Sequence, residues 1–318
     1  MSFTIEGDHK VSFWYDVGMK KTKTTAPIGA SLIVLSSIFY ASYGIWTKLM
    51  GNFFGGYTAS ALRSILIVII LLPIALAFRK FEPVKWKANW KYIAGITITS
   101  FFIWGPLYYA FLHAGIGVTS TINYASIVIG MFFFGWLLAG ERFTKNKILS
   151  AALGLAGLAL IFSPGTSQFG FLALAAAVLS GVSIAGNLVI AKKIPYNTTQ
   201  TMIISWLASV VANIVMAVLF GETFPAIGLH IEWLYLLLFV VTSVIASGTV
   251  IKGIKLIEAG AVGILGLLEI VFGILFGVLF FSERPTAVAL IGAAVIILAA
   301  SIPYVQDYRR LHRGLGGE

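Results

Sequence analysis

One carboxylate interrupts an otherwise apolar run in Gly266-Leu267-Leu268-Glu269-Ile270-Val271. At the depth this run would take in a bilayer, a charge costs roughly 2.5–3.5 kcal/mol on insertion scales, so Glu269 is expected to face the protein interior or a wet cavity. A carboxyl in that position suits proton coupling or the binding of a cationic group. The structural alternative is a neutral Glu hydrogen-bonded to a neighbouring helix. Lys48 and Arg63 form a second group, near the outer ends of consecutive apolar segments. Together they would make an outer basic lip that meets a substrate carboxylate or phosphate. Snorkelling to the interface is the alternative for Lys48, and a helix-to-helix hydrogen bond is the alternative for Arg63.

Other chemistry is hard to find. Asp8, Asp16 and Asp307 all lie in the terminal segments, which excludes a membrane-embedded aspartyl dyad. His9, His113, His230 and His312 are dispersed without metal-ligand spacing. Cysteine is absent, so there is no disulfide framework and no thiolate chemistry. Ser183 has no evident His partner. An enzyme is not expected, nor are catalytic residues, a metal or a cofactor.

These residues must be positioned by helices in lipid. The chain has 318 residues, of which 59% are hydrophobic and 11% charged. Soluble domains carry about 25% charged residues, so too little polar surface remains to coat a globule in water. A span needs about 20 mainly apolar residues, and ten such segments can be read along the chain. They fall near 28–50, 58–78, 92–112, 116–139 and 147–163, then near 169–191, 199–220, 231–251, 261–281 and 285–304. With the N-terminus in the cytoplasm, 19 of the 22 Lys and Arg residues fall on the cytoplasmic side. That asymmetry predicts a multi-pass protein of the cytoplasmic membrane with both termini inside. It also assigns the net charge of +10 to topology rather than to nucleic acid. The stretch after Lys20, Lys21 and Lys23 has no small-residue cleavage site and reads as a retained first helix. Met19 is a plausible translation start, which would make residues 1–18 an upstream extension.

The sequence repeats itself at an offset of about half its length. Ala114-Gly115 and Ala259-Gly260 open the fourth and ninth segments. Those segments close on Gly140-Glu141-Arg142 and Ser282-Glu283-Arg284, with Thr144 and Thr286 shortly after. Trp46-Thr47-Lys48 corresponds to Ile190-Ala191-Lys192 in the same way. The Glu-Arg pairs read as structural, each carboxylate capping the helix that follows it. Five spans per half is an odd number, so the halves are inverted and a substrate site is expected near the midplane where they meet. The predicted architecture is all-α, with ten transmembrane helices in two inverted five-helix repeats around a central cavity. Residues 1–27 form a cytoplasmic segment, 28–163 the first repeat, 169–304 the second, and 305–318 a cytoplasmic tail. Gly154-x-x-Gly157 and Gly273-x-x-x-Gly277 read as close-packing stripes, within the chain or in a homodimer.

This layout resembles the drug/metabolite transporter superfamily, in particular its ten-helix EamA-type exporters. The resemblance covers residues 28–304. It rests on the duplicated Glu-Arg turn, Arg63 early in the second helix, Lys48 closing the first, and Glu269 in the ninth. One departure is Glu269-Ile270 where members often have Glu-Pro, which removes the residue that would favour a kink. The resemblance implies a secondary transporter exporting a small organic metabolite by alternating access, with helices 1, 3, 4, 6, 8 and 9 around the cavity. Tyr43, Trp46, Trp104, Tyr108, Asn123, Tyr124 and Asn187 then join Glu269 as substrate contacts. Interfacial belts are the competing role for the Tyr and Trp residues. An apolar pocket with a few polar anchors suits a hydrophobic or aromatic amino acid. The expected partners are that substrate, the lipid bilayer and a proton, in a monomer or homodimer. The rival readings are an uncoupled facilitator of the same fold and an antiporter of phosphorylated metabolites or nucleotide-sugars.

Overall fold

The computed structural model describes residues 25–79, 83, 85–162, 170–225 and 228–313. The expected N-terminal segment up to residue 24, the stretch 163–169 between the two expected repeats and the end of the C-terminal tail lie outside the described residues. Eleven helices follow in chain order, and no strand occurs among the described residues. They are α1 (Thr25–Ala41), α2 (Tyr43–Met50), α3 (Gly56–Ala77), α4 (Trp86–Ala139), α5 (Lys145–Ile161), α6 (Phe171–Lys193), α7 (Thr198–Leu219), α8 (Ile231–Leu256), α9 (Ala259–Gly266), α10 (Leu268–Phe281) and α11 (Ala287–Arg313).

Seven helical stretches among the described residues are long and apolar enough to cross a membrane, against ten expected segments. The difference has three sources. The expected third and fourth segments run together in α4, 54 residues long, with non-helical Gly115 at φ 75 and ψ 165 inside it. The fifth, α5, has 17 residues. The apolar part of α11 spans only Ala287–Ile302. Conversely, α1 and α2 together make one stretch, Thr25–Met50, and α9 and α10 make another, Ala259–Phe281.

Helices this apolar gain little from hydrophobic attraction to one another, because lipid tails are as apolar as their side chains. Close backbone approach and buried hydroxyls take over. A Cβ added to Gly157 of α5 would lie 2.7 Å from the Gly292 carbonyl oxygen of α11, and one added to Gly292 would lie 2.6 Å from that of Gly157. Gly29 of α1 and Gly253 of α8 meet in the same fashion. Ser36 Oγ donates to the Ala246 carbonyl at 3.0 Å, tying α1 to α8. Ser180 Oγ of α6 donates to the Ile103 carbonyl of α4 at 2.7 Å. The resulting neighbours are α1 with α8, α3 with α7, α4 with α6, and α5 with α11. Each pair joins a helix from one half of the sequence to one from the other.

Both expected glycine stripes can be placed. Gly154 and Gly157 pack inside the chain, on Leu267 and Gly292. Gly277 sits under the Glu283 carboxylate, while Gly273 meets nothing within 4 Å. Replacing Gly157 with Val should therefore lower stability by about 1–3 kcal/mol, because the blocking atoms are backbone and cannot swing aside. Gly273→Ala should leave it unchanged. Thermal melting of the purified chain in detergent checks the pair.

Candidate functional site

Arg63 lies in the second turn of α3 and is 1% exposed. Four rings surround its guanidinium. Their centroids lie 4.4 Å (Phe239), 4.6 Å (Trp104), 5.1 Å (Tyr43) and 5.5 Å (Trp206) from Cζ. These come from α8, α4, α2 and α7, so the cage is built by elements of both sequence halves. Ring faces attract a cation by about 0.5–2 kcal/mol each, but they accept no hydrogen bond along the N–H directions. Nε and Nη2 accordingly have no hydrogen-bond partner. Arg63 thus makes cation–π contacts where a helix-to-helix hydrogen bond was the expected structural role.

Tyr43 connects this cage to Glu269. Its ring packs edge-on against Tyr40 at 5.2 Å and Phe239 at 4.6 Å. Tyr40 and Tyr43 both lie within electrostatic reach of Arg63 and of Glu269. Glu269 is half-buried, and its carboxyl lies within electrostatic reach of the Tyr124 side chain. Tyr43 and Glu269 each sit just after a helix interruption. Ser42 separates α1 from α2, its Oγ donating to the Phe39 carbonyl at 2.6 Å. Leu267 separates α9 from α10, its N–H reaching back to the Ile264 carbonyl in a tighter turn. Without a proline after Glu269, the interruption is one of hydrogen bonding only: Leu267 keeps helical angles, φ −61 and ψ −20.

The other expected residues are distributed around this centre. Trp46 Nε1 donates to Thr242 Oγ1 at 3.1 Å, on the α2–α8 seam. Tyr108 packs edge-on to Tyr57 at 4.9 Å. Asn123 Nδ2 donates to the Ala177 carbonyl at 3.1 Å. Asn187 Nδ2 reaches Ser100 Oγ at 2.9 Å and Thr99 Oγ1 at 3.0 Å. Both amides thus join α4 to α6 and place their donors on protein atoms. Lys48 is not beside Arg63: it is exposed and pairs with Glu283 at 2.8 Å, over the Phe281 ring. Trp206 and Phe239 were not among the expected site residues. The signal that could have found Trp206 is its place in the middle of an apolar span, away from the interfaces where tryptophan gathers.

The duplicated Glu-Arg turns have the same local geometry. Gly140 (φ 66) and Ser282 (φ 52) close their helices in the left-handed region. The next N–H then bonds back six residues, Glu141 to Gly135 at 3.0 Å and Glu283 to Gly277 at 3.1 Å. The carboxylates do not cap the helices that follow, as was expected. Thr144 and Thr286 do that, accepting from Lys147 N at 3.4 Å and Ala289 N at 3.1 Å. Each carboxylate instead reaches across the fold to the lysine that ends a helix of the other half: Glu141 to Lys192, Glu283 to Lys48.

Only one copy goes further. Glu141 also accepts the Ala259 N–H with both oxygens, at 2.9 and 2.8 Å, and so caps α9. Lys192 adds a bond to the Ile257 carbonyl at 2.7 Å, and Lys147 pairs with Glu258 beside it. The Lys192–Glu141 pair is shielded at 14% and 12% exposure, the Lys48–Glu283 pair open at 53% and 56%. Among the described residues, no group of three or more His, Cys, Asp or Glu could hold a metal.

Asn187→Ala should lower stability by about 1–3 kcal/mol, since it removes the Nδ2 donor that ties α6 to Ser100 Oγ, Thr99 Oγ1 and the Ile96 carbonyl of α4. Its melting midpoint in detergent, compared with that of Tyr124→Phe, separates this seam from the half-buried centre.

The sequence matches the EamA-like transporter family twice, over residues 27–163 and 171–304. Solute carrier family 35 member G1 of Mus musculus is 23% identical over 306 residues, covering 89% of this chain and 81% of the relative. The Homo sapiens protein of the same name is 23% identical over 300 residues, covering 89% and 80%. An uncharacterized transporter of Helicobacter pylori is 19% identical over 264 residues, covering 80% and 87%. A solved crystal structure superposes with a TM-score of 0.73 at 21% identity, over 88% of this chain and 98% of the other, which fixes the fold alone. The chain therefore belongs to the EamA-like transporter family, membrane transporters of the drug/metabolite transporter superfamily.

Proposed function

We propose that the chain is a secondary transporter that moves a small organic metabolite across the cytoplasmic membrane by alternating access. In this reading it crosses ten times, as two inverted five-helix halves with both termini inside. Three features support the crossing number. A straight α4 would be about 80 Å long, far beyond the hydrocarbon core of about 30 Å, and its break at Gly115 divides it into two passes. The family match falls once on each half. The helix neighbours map onto themselves when the halves are exchanged: α1 with α8 corresponds to α6 with the first part of α4, and α3 with α7 and α5 with α11 are their own counterparts.

The observation that carries alternating access is the unequal state of two equal devices. The Glu141–Lys192 pair is shielded and holds the N-terminus of α9, while its counterpart Glu283–Lys48 is exposed. With the termini inside, the sealed pair would face the cytoplasm, and the unequal exposure of the two pairs reads as an outward-facing arrangement. Exchanging the two arrangements would turn the cavity toward the other side. The site between the latches has aromatic walls, one carboxyl and one guanidinium, which suits an amino acid with a hydrophobic or aromatic side chain. Export is the direction that membership of the family favours, with Glu269 as the proton-coupling group.

The test is flux of amino acids, amines and drugs into proteoliposomes, with and without a pH gradient, for wild type and Glu269→Gln. The expected result is saturable flux whose acceleration by the gradient falls at least tenfold in the variant while substrate binding persists. Equal gradient dependence in both proteins would remove Glu269 from coupling and favour an uncoupled facilitator.

A further inference from the structure

We infer that Arg63 and its aromatic cage, closed in this structure, are an anion-binding subsite between the two halves, taking the carboxylate of a substrate whose body is apolar. The inference rests on the transport reading and adds the group that the protein recognises. A guanidinium carries five N–H donors in a planar fork matched to a carboxylate. Here it is 1% exposed, and Nε and Nη2 meet no acceptor. No ion pair joins Arg63 to a carboxylate among the described residues. A buried charge left in that condition is strongly destabilising, and ring faces offset only part of the cost. A purely packing position would be better filled by an apolar residue of similar volume.

The charge of the missing partner follows from the surroundings. Lys48, the other cation expected on this side, is already engaged with Glu283. One guanidinium among neutral rings, with the Glu269 carboxyl beyond Tyr43 and not paired to it, has room for a single negative charge, so a carboxylate fits and a doubly charged phosphate would be left half-neutralised. The rings then supply the body of the site, since Tyr43 and Trp104 are half-buried rather than sealed. Tyr43 directly follows the Ser42 interruption, so a small rotation of α2 about that point would move its ring and open the cage to an entering anion.

The full chain, purified and placed in nanodiscs, is titrated with 3-phenylpropionate, phenylalanine and phenylalaninamide while tryptophan fluorescence is followed, because Trp104 and Trp206 line the cage. Saturable changes with both acids, and binding at least tenfold weaker for the amide, are expected. Arg63→Met should abolish the preference for acid over amide, and Arg63→Lys should restore part of it. A cage that serves only packing would change the melting temperature in these variants and leave the preference intact. The inference is overturned if the amide binds as tightly as the acids, if Arg63→Met keeps the preference, or if none of the three probes binds. Flux of amines without flux of acids would overturn it too while leaving the transport reading standing; absence of flux for every compound would strike that reading instead.

Discussion

The first N–H groups of a helix have no intrahelical acceptor, and one buried away from water must find a partner elsewhere in the fold. The α9 helix begins under this constraint, and a carboxylate from the other half of the chain relieves it: Glu141 accepts from Ala259 while holding the Lys192 ammonium. The end of α4, the end of α6 and the start of α9 are thereby fixed at one point. The Gly140 turn aims the carboxylate, and Gly135 leaves room for it, since an added Cβ would lie 2.8 Å from its oxygen. A second carboxylate does the same for α3, where Glu222 accepts from Tyr57 and Thr58 at 3.2 and 2.7 Å. Helix ends that must meet across the halves are held by charge, while the helix bodies are held by glycine and serine contacts.

The interior follows from that division. Once close-packed seams join α1 to α8 and α4 to α6, the space between them is left to larger residues. Tyr40, Tyr43, Trp104, Trp206 and Phe239 collect there with the opposite charges of Arg63 and Glu269. The two charges do not neutralise each other by contact. Each is instead met by aromatic groups, Arg63 by ring faces and Glu269 by the side chain of Tyr124. An arrangement that keeps two unlike charges apart across an aromatic wall leaves the Arg63 guanidinium facing rings rather than the Glu269 carboxylate.

Much of this was legible in the sequence, for identifiable reasons. Apolar runs and the bias of Lys and Arg revealed the helical membrane character, because lipid imposes both on composition. The Glu-Arg turns revealed their shared geometry, because the residues that make it are short-range and recur in order. What those turns touch was not legible: Ala259 lies 118 residues from Glu141, and nothing near either residue names the other. The Arg63 cage was half visible. Arg63, Tyr43 and Trp104 stand out by type, whereas Trp206 and Phe239 sit in spans that are apolar all round, where a ring facing a cation looks the same as a ring facing lipid. Lys48 and Arg63, neighbours by position along consecutive helices, are separated because Glu283 draws one outward and the rings enclose the other.

Alternating access in this fold requires that the two latches exclude one another, and the absence of cysteine makes this directly accessible. A single cysteine at Tyr43, in an otherwise unchanged chain and in a Glu141→Gln background, can be probed with a membrane-impermeant maleimide from each side of sealed, oriented vesicles. Labelling from outside is expected with the Glu141 latch intact, and a rise of labelling from inside, with a matching fall from outside, once that latch is weakened. Equal labelling from both faces in the unaltered latch, or labelling that ignores the Glu141 substitution, would contradict it.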